Sequence, residues 1–303
     1  MTPSTAERNI RSGLPVIRFL QTRLPPRWTR GPLRWAAAHA RLPADVTRQS
    51  VSADGVPCAW LIPQHSLPDQ ALIYLHGGGF VHGATPQHIA LAAHLARRMG
   101  ARALIVDYRL APEHPFPAAL DDCTAVCRWL RRQGIAPQNT VLAGDSAGGN
   151  LTLTTLMKLR DGGEPLPAAA ACLSPLADLS PRSPAQVRDP LLTPGAIRFY
   201  SAAYAAGSDS RAPLLSPVYG DWRGLPPLLI QAGEEEILRD DATRCAAAAR
   251  AAGVNVRLEI YERMWHVFQL FLALPQAVAA LDDIARFLRY DYSRLLPLPR
   301  PGQ

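Results

Sequence analysis

The chain has 303 residues, of which 48% are hydrophobic, so it is long enough for one large α/β domain and is neither disordered nor fibrous. Its net charge of +7 comes from scattered arginines with some density in the first 41 residues, a pattern that argues against nucleic-acid binding. No run approaches the ~20 apolar residues of a membrane span, which argues against stable membrane insertion. Residues 1–11 lack the apolar core of a secretory signal and the five cysteines form no C-x-x-C pair, which predicts a cytoplasmic protein with free thiols, no metal and no cofactor.

Strands and helices alternate along the first half of the chain. An amphipathic stretch interrupted at Pro25 and Pro26 precedes a predicted hairpin over 46–62, whose turn is Asp54-Gly55. The elements predicted after it are a buried strand over 71–75, a helix over 85–99, a strand over 103–108, a helix over 118–133, a strand over 140–143 and a helix that ends near 160.

The second half continues this alternation, except in one stretch. Apolar runs predict strands over 167–173, 226–232 and 254–261, with helices over 240–252 and 275–290. Residues 176–224 break the rhythm with many prolines and a helix-like segment over 195–206, and a stretch of this length is usually functional. The pattern predicts one domain over 1–303, built on a mostly parallel sheet with helices on both faces.

A pentapeptide, Gly144-Asp145-Ser146-Ala147-Gly148, lies where a predicted strand turns into a predicted helix. This is the G-x-S-x-G nucleophile elbow in its required context, with a helix N-terminus beneath the serine that offers N–H groups to an anion. A chance match, in which Ser146 only caps the helix, is the alternative. His266 follows the last predicted strand, so serine precedes histidine as this arrangement requires.

Several motifs in this order resemble the hormone-sensitive-lipase family of α/β-hydrolases, the bacterial family IV esterases. They are His-Gly-Gly-Gly at 76–79, Asp-Tyr-Arg-Leu-Ala-Pro-Glu at 107–113, Gly-Asp-Ser-Ala-Gly-Gly at 144–149, Asp-Pro-Leu-Leu-Thr-Pro at 189–194, and Trp265-His266. The resemblance covers about residues 46–290, and acetyl esterases and monoterpene ε-lactone hydrolases are similar in pattern. It implies an α/β-hydrolase fold with a helical cap formed by about 1–45 and 179–215.

The resemblance also implies the roles of the site residues. Ser146 attacks an ester carbonyl and His266 takes the serine proton, while a carboxylate orients the imidazole. The family position of that acid corresponds to Glu236, a glutamate where the family usually has aspartate, and Glu235 and Asp178 remain as alternatives. The expected oxyanion donors are the backbone N–H groups of Gly78, Gly79 and Ala147. The residues expected to support this loop and turn are His76, Gly77 and Asp145.

Apolar side chains near these motifs are candidates for the walls of an acyl or alcohol pocket. They are Trp35, Phe80, Leu191, Leu192, Phe199, Tyr200 and Trp265. Arg109 and Glu113 are expected to pair with each other or to brace the loop that contains them.

The sequence therefore predicts a serine carboxylesterase that acts on short-chain or small apolar esters through an acyl-enzyme. A lactonase or an amidase or deacetylase would use the same triad, so these remain alternatives. A non-catalytic receptor of this fold lacks the histidine, and the presence of His266 argues against it. The predicted partner is a small ester, and a homodimer is left open.

Overall fold

An eight-stranded sheet lies at the centre of the computed structural model, which describes residues 4–23, 25–181 and 189–291. The strands are β1 (Val46–Ala53), β2 (Val56–Pro63), β3 (Leu67–Leu75), β4 (Ala101–Val106), β5 (Thr140–Asp145), β6 (Ala170–Leu173), β7 (Leu228–Gly233) and β8 (Val256–Tyr261). Their order is β1-β2-β4-β3-β5-β6-β7-β8, in which β2 is antiparallel to both neighbours and all other pairs are parallel. The predicted mostly parallel sheet is confirmed.

Helices cover both faces of this sheet. They are α1 (Thr5–Arg23), α2 (Pro26–Ala38), α3 (Pro86–Met99), α4 (Ala118–Arg132), α5 (Ala147–Asp161), α6 (Pro194–Ala205), α7 (Arg239–Ala251) and α8 (Pro275–Arg286). Apolar side chains of α4, α5 and α7 pack on one face, and those of α3 and α8 pack on the other. Alternate residues of β3 enter the two cores, since Ile73 lies in the first and Leu72 in the second.

Turn and cap residues set the ends of these elements as the sequence predicts. Asp54 and Gly55 have φ values of 53° and 86°, the left-handed pair that a two-residue hairpin requires. Thr85 precedes α3, where its N–H donates to His88 Nδ1 at 2.9 Å, and Gly100 ends the helix with φ of 65°. Strand ends differ from prediction by a few residues: β3 begins at Leu67 and β4 ends at Val106.

The segments predicted to form a cap contact the body of the domain at separate points. Leu14 of α1 lies in a small apolar cluster with Trp265 and Phe268, whereas α6 packs on the main core through Tyr204. Residues 182–188 of the predicted cap lie outside the described residues, so the cap remains a prediction. Among the helices that the structure describes, none combines the length and apolarity needed to cross a membrane.

Candidate active site

Ser146 occupies a sharp turn between β5 and α5. Its backbone has φ of 53° and ψ of −116°, a sparsely populated conformation that costs about 1–3 kcal/mol. Neighbouring backbone holds the turn, because Ser146 N donates to Leu173 O at 2.8 Å. A Cβ at Gly144 would collide with Gly148 O, and one at Gly148 would collide with Leu75 O, so both glycines are required for this close approach.

His266 lies in the loop after β8 and reaches the serine. Its Nε2 is 3.0 Å from Ser146 Oγ, although the two residues are 120 positions apart in sequence. Both side chains are buried, and burial lowers the pKa of His266 below its usual value. A neutral imidazole at hydrogen-bond distance from a hydroxyl can accept its proton, which is the arrangement that general-base catalysis needs.

Glu236 follows β7 and is fully buried. Its Oε2 accepts hydrogen bonds from Ser174 Oγ at 2.7 Å and from Gly233 N at 3.0 Å. Burial raises the pKa of Glu236 to about 8, since the two hydrogen bonds only partly offset the loss of water and nearby carboxylates add repulsion. Within the described residues, neither Glu236 Oε1 nor His266 Nδ1 has a hydrogen-bond partner, so these two buried atoms are not bonded to each other.

Ser174 is a residue that the sequence reasoning missed. It follows β6 in a left-handed conformation with φ of 48° and is fully buried. Its hydroxyl donates to Glu236 Oε2 and accepts a hydrogen bond from Val267 N at 3.1 Å, so it joins the glutamate to the loop of His266. Its place at the carboxyl end of a parallel strand is the signal that identifies it, because active groups of such sheets gather there.

The two alternative acids are engaged elsewhere. Asp178 Oδ2 accepts from Arg244 Nη1 at 2.7 Å and from Tyr219 Oη at 2.9 Å. Glu235 Oε2 accepts from Arg11 Nη1 at 2.8 Å and is 39% exposed. Neither carboxylate bonds to His266, and both have an arginine as their ion-pair partner.

The three predicted oxyanion donors lie in two turns that follow neighbouring strands. Gly78 and Gly79 belong to the turn after β3, and Ala147 is the first residue of α5. In the described part of the chain, their N–H groups form no hydrogen bonds. Gly79 has φ of 61°, and a Cβ there would enter the ring of Tyr200, so only glycine fits this position.

A buried hydrogen-bond network fixes this glycine turn to the serine turn. Asp145 Oδ1 accepts from Tyr74 Oη at 2.6 Å and from Gly77 N at 3.0 Å, while Oδ2 lies 3.2 Å from His88 Nε2. His76 Nδ1 lies 2.8 Å from Gly77 O, and burial lowers the pKa of His76 to about 4. The His76 ring is therefore neutral at ordinary pH and acts within the loop rather than as an ion.

Across residues 4–23, 25–181 and 189–291, no set of three or more His, Cys, Asp or Glu side chains is arranged to hold a metal ion. The rings of His76 and His88 are 5.9 Å apart, and their nitrogens contact Gly77, Thr85 and Asp145 instead.

Arg109 and Glu113 do not pair with each other, so of the two roles expected for them the pairing is wrong and the bracing of their loop stays a prediction. Arg109 bonds to Asp122 of α4 through both its backbone N–H and its guanidinium, with an Nη2–Oδ1 distance of 2.7 Å. Glu113 pairs instead with Arg30 of α2 at 2.6 Å, and Arg30 Nε also donates to Val81 O at 2.6 Å. One arginine of the N-terminal region thus spans two loops of the domain body.

The predicted pocket residues separate into different environments. Tyr200 is buried against Gly79, and Phe199 beside it is half exposed. Phe80 turns into the core, where its ring stacks on Tyr204 with centroids 3.8 Å apart, so it is a core residue rather than a pocket wall.

The remaining candidates lie in three different surroundings. Trp35 is mostly exposed and stacks on His39, so its ring lies on the outer surface instead of in an enclosed wall. Leu191 packs with Trp265 in the small cluster that includes α1, and Leu192 packs against the main core.

Comparisons with known proteins agree with this geometry. A family model described as the alpha/beta hydrolase fold matches residues 72–270. An acetyl-hydrolase of Streptomyces hygroscopicus is 43% identical over 235 residues, which cover 76% of this chain and 78% of the relative. An esterase of Acinetobacter venetianus is 39% identical over 224 residues, or 72% of this chain and 74% of the relative.

A solved structure extends this similarity to the whole fold. The crystal structure of an esterase from the bacterial hormone-sensitive lipase family is 38% identical and has a TM-score of 0.85, covering 95% of this chain and 99% of the other. The resemblance predicted from the motifs is thereby confirmed. The chain belongs to the hormone-sensitive lipase family of α/β-hydrolases.

Proposed function

We propose that the chain is a serine carboxylesterase that cleaves short-chain or small apolar esters through an acyl-enzyme. The observation that carries the proposal is the 3.0 Å distance between Ser146 Oγ and His266 Nε2 in a buried site. The relatives named esterase and acetyl-hydrolase support the same reaction class. A hydroxyl is a weak nucleophile without a base in reach, and this pair supplies the base.

In the proposed reaction, His266 accepts the Ser146 proton while Oγ forms a bond to the ester carbonyl carbon. The negative charge that develops on the carbonyl oxygen is met by the N–H groups of Gly78, Gly79 and Ala147. The imidazolium then protonates the alcohol oxygen as the acyl–oxygen bond breaks. Water repeats these steps on the acyl-enzyme, with His266 again as base, and releases the acid and the free serine.

Glu236 is proposed as the acid of the triad. Its Oε1 and His266 Nδ1 are both buried, and neither atom has a hydrogen-bond partner in the described structure. A contact between them would therefore satisfy both atoms. An ionised Glu236 would orient the imidazole and stabilise the imidazolium. Because burial raises the pKa of this carboxyl to about 8, the proposal includes an activity that increases toward alkaline pH.

The preference for small esters is proposed from the surroundings of the glycine turn. The Tyr200 ring lies against Gly79, and the predicted cap over 1–45 and 179–215 would cover the same turn. A lactone is an internal ester and would be opened by the same steps. An amidase would additionally have to protonate a poorer leaving group, so ester cleavage is the reaction that this site supports best.

Labelling with a fluorophosphonate probe tests the proposal. We expect the wild-type protein to be labelled at one serine and Ser146→Ala to be unlabelled with its fold retained. A panel of p-nitrophenyl esters from acetate to palmitate then tests the size preference, with turnover expected to fall as the acyl chain lengthens. Absence of labelling in the wild type would contradict the esterase proposal, and turnover that rises toward palmitate would contradict the small-ester preference.

A further inference from the structure

The net charge of the chain is concentrated at one end of the sequence. Residues 1–41 contain eight arginines and one carboxylate, Glu7, which together equal the whole net charge of +7. Basic and acidic residues therefore balance over 42–303. Because α1 and α2 lie within this segment, these two helices carry most of the excess positive charge and form a positive pole, in which Arg11, Arg30 and Arg34 pair with carboxylates of the domain body.

The same two helices carry the most exposed large hydrophobic side chains of the described residues. The four most exposed large hydrophobic side chains of the described residues all belong to α1 or α2. They are Trp35 at 67%, Trp28 at 63%, Val16 at 61% and Phe19 at 59%. Two exposed tryptophans on one helix, beside two exposed arginines, are unusual for a surface that only contacts water.

On α2 the aromatic and basic residues form two adjacent rows. Trp28 and Trp35 are seven residues apart, as are Arg27 and Arg34, and this spacing is about two helical turns. The two tryptophans therefore lie on the same side of the helix. Arg27 directly precedes Trp28, and Arg34 directly precedes Trp35. The Arg27 guanidinium lies 5.9 Å from the centre of the Trp28 ring.

We propose that this basic aromatic face, defined by Trp28, Trp35, Arg27 and Arg34 of α2, docks on an anionic lipid surface. Indole rings favour the boundary between headgroups and acyl chains, and arginines are attracted to anionic headgroups. The binding is peripheral, since none of the described helices can cross a membrane. A second copy of the chain is a poorer occupant, because a symmetric contact would bring two positive poles together.

Contacts of α2 connect this face to the residues that directly follow the glycine turn. Thr29, next to Trp28, has its Oγ1 3.2 Å from His82 Nδ1, and Arg30 Nε donates to Val81 O at 2.6 Å. Docking through Trp28 would thus hold the site close to a surface in which sparingly soluble esters dissolve. The docking itself does not depend on the ester chemistry and is tested separately from it.

The test is co-sedimentation of the full chain with vesicles of pure phosphatidylcholine or of phosphatidylcholine mixed with phosphatidylglycerol. We expect binding to the anionic vesicles at about 0.1 M salt, and its loss at about 1 M salt, where the Debye length falls to about 3 Å. The double variant Arg27→Gln, Arg34→Gln should bind about 30-fold more weakly, or about fivefold for each arginine. Trp28→Ala should also weaken binding, while circular dichroism should show that all of these variants keep the wild-type fold.

Matched controls come from exposed residues outside the two helices. Arg250→Gln removes an exposed arginine of α7, and Leu67→Ala removes an exposed apolar side chain of β3, so both should bind like the wild type. Equal binding to neutral and anionic vesicles, or no binding to either, would overturn the proposal. If Trp28→Ala changes the mass of the chain in light scattering without affecting vesicle binding, the face is a contact between copies and the lipid proposal is wrong.

Discussion

Replacing Ser174 by alanine is expected to move the pH dependence of activity to higher pH. The Ser174 hydroxyl donates to Glu236 Oε2 at 2.7 Å in a fully buried setting. A hydrogen bond to a charged group contributes about 1.5–3 kcal/mol, which corresponds to about 1–2 pKa units. Because the donor stabilises the ionised carboxylate, its removal should raise the pKa of Glu236 further above the wild-type value of about 8.

The sign of this effect follows from the protonation states that the proposed mechanism needs. Activity requires ionised Glu236 and neutral His266, so kcat of the wild type should rise as pH increases through about 8. In Ser174→Ala the rise should occur about 1–2 pH units later. Well below the rise, kcat should therefore fall by about 10- to 100-fold, and much of the loss should be recovered at alkaline pH.

The measurement is kcat as a function of pH, with turnover monitored by titrating the acid released from a soluble ester. Ser201→Ala is the matched control, because that buried hydroxyl of α6 has no hydrogen-bond partner among the described residues. Circular dichroism would show that both variants are folded. A rise that stays at the wild-type pH in Ser174→Ala, or moves to lower pH, would refute the link between this hydroxyl and the acid.

Other substitutions test the acid, the glycine turn and the contacts of Arg30 with Glu113 and Val81, here called the arginine clamp. Glu236→Gln should lower kcat by about 10⁴-fold with the fold intact, whereas Asp178→Asn should remain active, and the reverse pattern would overturn the choice of acid. Gly79→Ala should lower kcat by about 100- to 1,000-fold, because its Cβ would enter the Tyr200 ring and displace the turn. Gly83→Ala, whose Cβ meets no atom within 4 Å, should keep the wild-type kcat. The same kcat in both variants would contradict a donor role for this turn. Arg30→Ala should lower the free energy of unfolding by about 1–3 kcal/mol in a urea titration, and an unchanged midpoint would show that the clamp adds no stability.

The sheet and the pairing of Ser146 with His266 were predictable from local signals. Uninterrupted apolar runs identify strands that are covered on both faces, and they predicted β5 and β7 to within two residues at either end. The glycines at 144 and 148 predicted a tight turn, and the order of serine before histidine placed both at one edge of the sheet. The 3.0 Å contact follows from topology that such patterns encode.

Side-chain partners at long sequence separation were not predictable in the same way. Arg109 and Glu113 are close in one loop, yet each pairs with a side chain of a helix, Asp122 of α4 and Arg30 of α2, because long flexible side chains select partners in space. The position of Ser174 after a strand marks it as a candidate, but its two hydrogen-bond partners are known only from the fold. The directions of Trp35 and Phe80 depend on packing, which apolar character alone does not specify.

The conformation of Ser146 has a consequence for the evolution of this enzyme. A residue with a Cβ is held at φ of 53° in the elbow, whereas glycine would adopt such a backbone at little cost. A chain with glycine at this position should therefore unfold at a higher temperature, although it would lack the proposed nucleophile. Thermal stability and the proposed activity therefore make opposite demands on residue 146. Selection for stability alone would favour glycine and would remove Ser146 Oγ, the atom proposed to attack the ester.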